Sequence, residues 1–163
     1  MIKRLVFTFF LLYTFAGCTR DDLCAEDTAT TPLLQIQFKD ITDRLQNKAV
    51  SSLRVLVIGT DTVEAFQGES DTLVGIPLNT LTTRSEFHFI ANSNDSINAN
   101  TDILSFTYST QDIYINRACA FKTIYNDLQA DLEPEIGTNW IEDITLLKTN
   151  VEDETEPHLT IFH

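Results

Sequence analysis

The sequence predicts an all-β protein, an antiparallel β-sandwich of about seven or eight strands, with an immunoglobulin-like strand order as one form of that class. Three observations predict it. Apolar and polar residues alternate with a period of two in several short runs. Turn-forming residues interrupt those runs roughly every 8 to 15 residues. Beyond the first 18 residues, no stretch carries the spacing of a convincing amphipathic helix.

The chain opens differently. Lys3 and Arg4 form a basic head, and Leu5 to Ala16 then run apolar with Thr8 and Thr14 interrupting. About a dozen apolar residues are too few to span a bilayer, so residues 1–17 read as an export signal peptide. Its ending, Phe15-Ala16-Gly17-Cys18, resembles a bacterial lipobox, with Phe15 where leucine is usual. That resemblance implies lipidation of the Cys18 thiol and cleavage just before it. Several acyl chains, each buried methylene worth about 0.8 kcal/mol, would hold the processed protein on its membrane. Residues 18–32 form the lipidated N-terminus and linker, ending in Thr28-Ala-Thr-Thr-Pro32. Within them, Thr19-Arg20-Asp21-Asp22 is similar to the surface-export signal of Bacteroidota lipoproteins, and equally reads as a solvated linker.

Residues 33–163 read as the β-sandwich domain. Leu34, Ile36 and Phe38 alternate with Gln35, Gln37 and Lys39, which marks a half-buried strand. Asp40 to Ser52 is polar and loop-like. Leu53 to Ile58 is short and β-branched, as a strand covered on both faces would be. Thr60 to Asp71 carries Gly68 and several acids and reads as a loop. Asp71 to Leu78 is a weak strand, broken by Gly75 and closed by Pro77, and therefore expected at an edge. Ser85 to Ala91 puts Phe87, Phe89 and Ala91 on one face, and Asn92 to Asp102 is a polar turn or loop. Ile103 to Tyr108, then Ile113 to Leu128 as two strands or one bent one, Ile141 to Lys148 and Leu159 to Phe162 complete the set. Trp140 is expected to pack on the core or cover an edge.

With 11 bases against 24 acids the chain carries −13 at neutral pH. Removing residues 1–17 removes two bases and no acid, leaving 9 against 24, or −15. That balance argues against nucleic acid as a partner, since such binding rests on cationic contacts to phosphate. It also argues against direct adsorption to anionic lipid headgroups.

With Cys18 assigned to the anchor, Cys24 and Cys119 remain as an even pair in an oxidising compartment. A bridge between them would close a loop of about 95 residues, worth about 4.7 kcal/mol in the chain-entropy account. Two buried thiols or a metal site are the competing readings, and no Cys-x-x-Cys or neighbouring His completes a ligand set.

No nucleophile elbow is present. His88 lies mid-strand, and His158 and His163 flank the last strand without a usual zinc spacing. Asn98, Asn100 and Asp102 set oxygens at alternating positions, as a calcium loop begins. Ile103 and Ser109 stand where such a loop needs glycine and an acid, so a polar turn reads better and no cofactor is expected. Asn94-Asp-Ser96 fits the glycosylation pattern. Tyr108, Tyr114 and Tyr125 are candidates for a ligand face, against ordinary sheet packing.

Several segments together resemble an uncharacterised lipoprotein family of Flavobacteria-type Bacteroidota. They are Asp22-Leu-Cys24, Leu33 to Asp40, Ile76-Pro-Leu78, Ile103 to Tyr108, Ile113 to Ile124 and Leu159 to His163. Its most specific piece is Arg117-Ala-Cys-Ala-Phe-Lys-Thr123, where the family pattern expects glycine and a bulge at Ala120. The resemblance implies the anchor, the cysteine pair and the β architecture, and brings no catalytic residues.

The resulting expectation is a non-catalytic cell-envelope lipoprotein, held at the outer membrane through Cys18 and facing the periplasm or the surface. It would serve as a binding or scaffolding module for an envelope protein or glycan. The alternatives are an enzyme acting on envelope polymers or glycans, and a purely structural lipoprotein.

Overall fold

The computed structural model of the protein describes residues 23–59, 63–134 and 139–163. The expected signal peptide, residues 1–17, and the expected lipidation site at Cys18 lie outside the described residues, as does the stretch Thr19 to Asp22. The chain divides into two units. The described part of the first is residues 23–29 with Tyr114–Lys122, and the second is Thr30–Ile113 with Thr123–His163.

Among the described residues nine strands form and no helix. They are β1 (Leu34–Lys39), β2 (Val50–Val57), β3 (Val63–Asp71), β4 (Leu73–Ile76), β5 (Arg84–Ala91), β6 (Asn100–Asn116), β7 (Ala120–Leu132), β8 (Asp143–Leu146) and β9 (Leu159–Phe162). A four-stranded sheet runs β4-β1-β9-β8 and a five-stranded sheet β3-β2-β5-β6-β7. This bears out the all-β sandwich. The order has β5, β6 and β7 as consecutive neighbours, whereas the constant-type immunoglobulin order sets ABED against CFG.

The alternation in β1 places Leu34, Ile36 and Phe38 wholly inside. Strand β9 lies between β1 and β8, parallel to the first and antiparallel to the second. All four of its residues are buried. Phe87 and Phe89 of β5 and Phe106 of β6 contribute the large rings of the five-stranded sheet, with Phe87 and Phe106 5.9 Å apart edge-on. Trp140 covers this core as expected. Its indole N–H donates to the Phe89 carbonyl at 3.0 Å, and its ring lies 6.4 Å from that of Phe38.

Three departures from the sequence reading have physical causes. Strand β3 occupies a stretch read as a loop. It is an edge strand pairing only with β2, and no residue of it is fully buried, so it never needed an apolar alternation. The run from Ile113 to Leu128 is two strands, separated by a turn at residues 117–119. Its first part is continuous with Ile103–Tyr108 in β6, so β3 is the one strand added to the expected eight, giving nine among the described residues. Strand β6 also starts at Asn100, inside the stretch read as a polar loop, because its first residues complete the ladder with Ala91 and Ile90. The weak strand at Leu73–Ile76 does lie at an edge. The outer edge of β7 is partly covered: Tyr125 and Val151 exchange backbone hydrogen bonds, and Leu128 N–H donates to Thr149 O.

Candidate functional site

The first unit is organised by covalent chemistry. Cys24 and Cys119 are bonded, with Cα atoms 4.9 Å apart. The sequence-predicted pair is therefore a disulfide rather than two thiols or a metal site. Around it the backbone turns on short polar groups. Asn116 Oδ1 accepts the Cys119 N–H at 2.8 Å, and Ala25 O accepts the Thr28 N–H at 3.1 Å. The Thr28 hydroxyl sits 3.7 Å from the Cys119 sulfur. Ala120 follows with φ of 58°, the left-handed region that glycine enters without steric cost. That is the position where glycine was expected, and alanine adopts the same backbone.

This turn leaves two aromatic side chains facing each other in solvent. Tyr114 and Phe121 meet at 5.3 Å and 66°, yet are 58% and 62% exposed. Arg117 is exposed at the turn. The sequence grouped Tyr114 with Tyr108 and Tyr125, and the structure separates them. Tyr108 and Tyr125 are buried, 5.1 Å apart edge-on. Phe121 was not singled out.

The second unit carries a groove of about 490 Å³ whose lining includes Val57, Pro77, Asn79, Thr82, Arg84 and Glu86. Its polar members are engaged with one another. Arg84 pairs with Glu86, and the Thr82 hydroxyl donates to Arg84 O at 2.7 Å. Beneath them, the Ser85 hydroxyl accepts from Asn79 N–H at 2.9 Å and bonds the Tyr108 hydroxyl at 2.6 Å. The Tyr108 hydroxyl in turn donates to Asn79 O at 2.9 Å. Tyr125 donates to Leu78 O at 3.0 Å, and burial, with Tyr108 adding, pushes its pKa up to about 12. These hydroxyls hold the 77–79 segment against the sheet, which is a structural use of Ser and Tyr.

A second hollow, about 430 Å³, has Lys148, Asp153 and His158 in its wall. His158 is 1% exposed. Its backbone N–H donates to Gln35 O at 2.8 Å, and its Nδ1 accepts Gln35 N–H at 3.0 Å. Burial first, then the nearby Lys148 charge, lowers its pKa, so the ring stays neutral and pins β1. His163 is likewise lowered, mainly by burial. It lies edge-on to Phe38 and Trp140, with Nε2 3.2 Å from Lys48 O. His88 is half-buried on β5, opposite Leu56 and Ile103.

The calcium candidate resolves into separate roles. Asp102 is fully buried and its Oδ2 accepts Ile141 N–H at 2.8 Å. Asn98 is exposed and donates to Asp95 Oδ2 at 2.6 Å, within a turn where Asp95 Oδ1 also accepts Ile97 N–H at 3.0 Å. Asn100 stands in the β6 ladder opposite Ala91. Asp95 and its neighbours thus make the polar turn. Among the described residues no group of three or more His, Cys, Asp or Glu side chains is placed to hold a metal.

The profile of a family of unknown function, DUF6452, matches residues 52–163. The chain belongs to this family. The DUF6452 range takes in nearly all of β2 and every later strand, and it includes Cys119. Cys24 and β1 precede it, so the segments from Asp22 to Asp40 that entered the resemblance lie outside the match. No curated protein and no solved structure matches the chain.

Proposed function

We propose that this DUF6452 chain is an exported, lipid-anchored module of the cell envelope that binds or scaffolds rather than catalyses. The observation that carries the reading is the Cys24–Cys119 disulfide. Disulfides persist in oxidising compartments, and this one accounts for two of the three cysteines. The third, Cys18, closes the signal-like stretch at Phe15-Ala16-Gly17-Cys18. In this reading residues 1–17 are removed and Cys18 carries the acyl chains, at the outer membrane of a Flavobacteria-type bacterium. The partner is another envelope protein or a glycan.

The non-catalytic half of the reading draws on where the reactive side chains are used. The Ser85 hydroxyl is held by Asn79 and Tyr108, and His158 by Gln35. Each of these contacts secures a strand or loop. Fractionation tests the anchor: the wild-type protein should sediment with membranes and a Cys18→Ser variant should be released. Crosslinking on intact membranes tests the module. A reproducible envelope partner, or a hit on a glycan array, supports binding. A blank in both contradicts it.

A further inference from the structure

We propose that the exposed aromatic tip of the β6–β7 hairpin docks into the headgroup layer of the bilayer that carries the anchor. The inference rests on the lipid-anchor reading of Cys18 and adds a second, non-covalent contact with the same membrane.

Four observations point to it. Tyr114 and Phe121 form a ring pair that stays more than half exposed. An aromatic pair in water is the side-chain chemistry that membrane interfaces favour, since such rings settle at headgroup level. Second, residues 114–122 include Arg117 and Lys122 and no acid, in a chain where 24 acids outnumber 11 bases. Arg117 is exposed at this tip, which offers anionic phosphate a base and no carboxylate of its own, while the disulfide-linked residues 23–29 carry Glu26 and Asp27.

Third, the disulfide fastens Cys119 of this tip to Cys24, only six positions after Cys18. Six residues reach at most about 20 Å when fully extended. Cys119, whose Cα lies 4.9 Å from that of Cys24, therefore stays within about 30 Å of the anchored sulfur whatever path the intervening residues take. Fourth, a tether this short sets an effective concentration in the ~mM range, so a contact too weak to hold a free protein is populated on the membrane. The turn is also fixed in shape, by the Asn116 cap on Cys119 N–H and by the disulfide, so little ordering entropy opposes docking.

The test uses the processed chain, oxidised at Cys24–Cys119 and coupled through its Cys18 thiol to a maleimide lipid in vesicles of phosphatidylethanolamine and phosphatidylglycerol. Short-time hydrogen exchange of the 114–121 peptide should slow several-fold relative to the same protein free in solution. A Tyr114→Ser/Phe121→Ser variant should lose that protection while remaining coupled. A Phe121→Trp variant, read against the Trp140 signal of the parent, should shift blue and be quenched by bromine-labelled lipid. Equal exchange on and off the vesicles, or protection that survives the double substitution, overturns the proposal. Because the tether here is synthetic, a native protein found without acyl chains would sink the anchor reading without deciding this result.

Discussion

Residues 100–108 and 109–116 of strand β6 share one backbone, yet they are held by different forces. The first half is buried at Asp102, Leu104, Ser105, Phe106 and Tyr108. The second half, from Ser109 to Asn116, has no buried residue. Hydrophobic burial fixes the former against β5. Beyond it the hairpin ends at a covalent bond, a capped turn and one exposed ring pair. The contrast shows how one strand can be held by burial in one part and by covalent closure in another.

The largest break in that contrast is a core substitution. Phe106→Ala should cost about 3–5 kcal/mol in urea denaturation, whereas Tyr114→Ala should cost no more than about 1 kcal/mol. Equal losses would mean the tip belongs to the core. Next comes the disulfide. Replacing both Cys24 and Cys119 by serine should cost about 2–4 kcal/mol, the usual range for a native bridge, against about 4.7 kcal/mol for a strain-free loop of this length. Because the bond lies at the exposed tip, near-ultraviolet circular dichroism of the core aromatics should be unchanged in native buffer.

A smaller effect comes from pH. His158 and His163 both have pKa values below the ordinary 6.5 in the folded state, chiefly through burial. Between those lowered values and 6.5 the unfolded chain binds more protons than the folded one. Their stabilisation is therefore complete above pH 6.5 and is lost as pH falls below it. A His158→Gln variant should show a shallower loss over that window. A stability curve that rises on acidification would contradict the neutral-ring account. The smallest effect is expected at Ala120. Glycine there relieves a left-handed alanine, and Ala120→Gly should stabilise the chain by about 1 kcal/mol or less.

The same contrast explains what the sequence made legible. Strands β1 and β5 announced themselves because each has one buried face, so burial enforced a period of two. Strand β9, buried throughout, still read correctly from its β-branched and aromatic composition. Strand β3 was invisible because an exposed edge imposes no such pattern. The hairpin turn was blurred because it is made by an asparagine side chain and a left-handed alanine, not by the Gly or Pro that usually mark turns. Of the candidate residues, the Cys24–Cys119 bond followed from parity, whereas the contact of Asp102 with the Ile141 N–H was not legible because the two lie 39 positions apart.

The central claim is that one cysteine carries lipid and the other two are bonded outside the cytoplasm. Intact-mass spectrometry of the protein purified from its own membranes under non-reducing conditions tests it most directly. The account predicts a chain beginning at Cys18, heavier by its acyl groups and lighter by the two hydrogens of one disulfide. An unprocessed chain with no acyl mass and free thiols at Cys24 and Cys119 would contradict it.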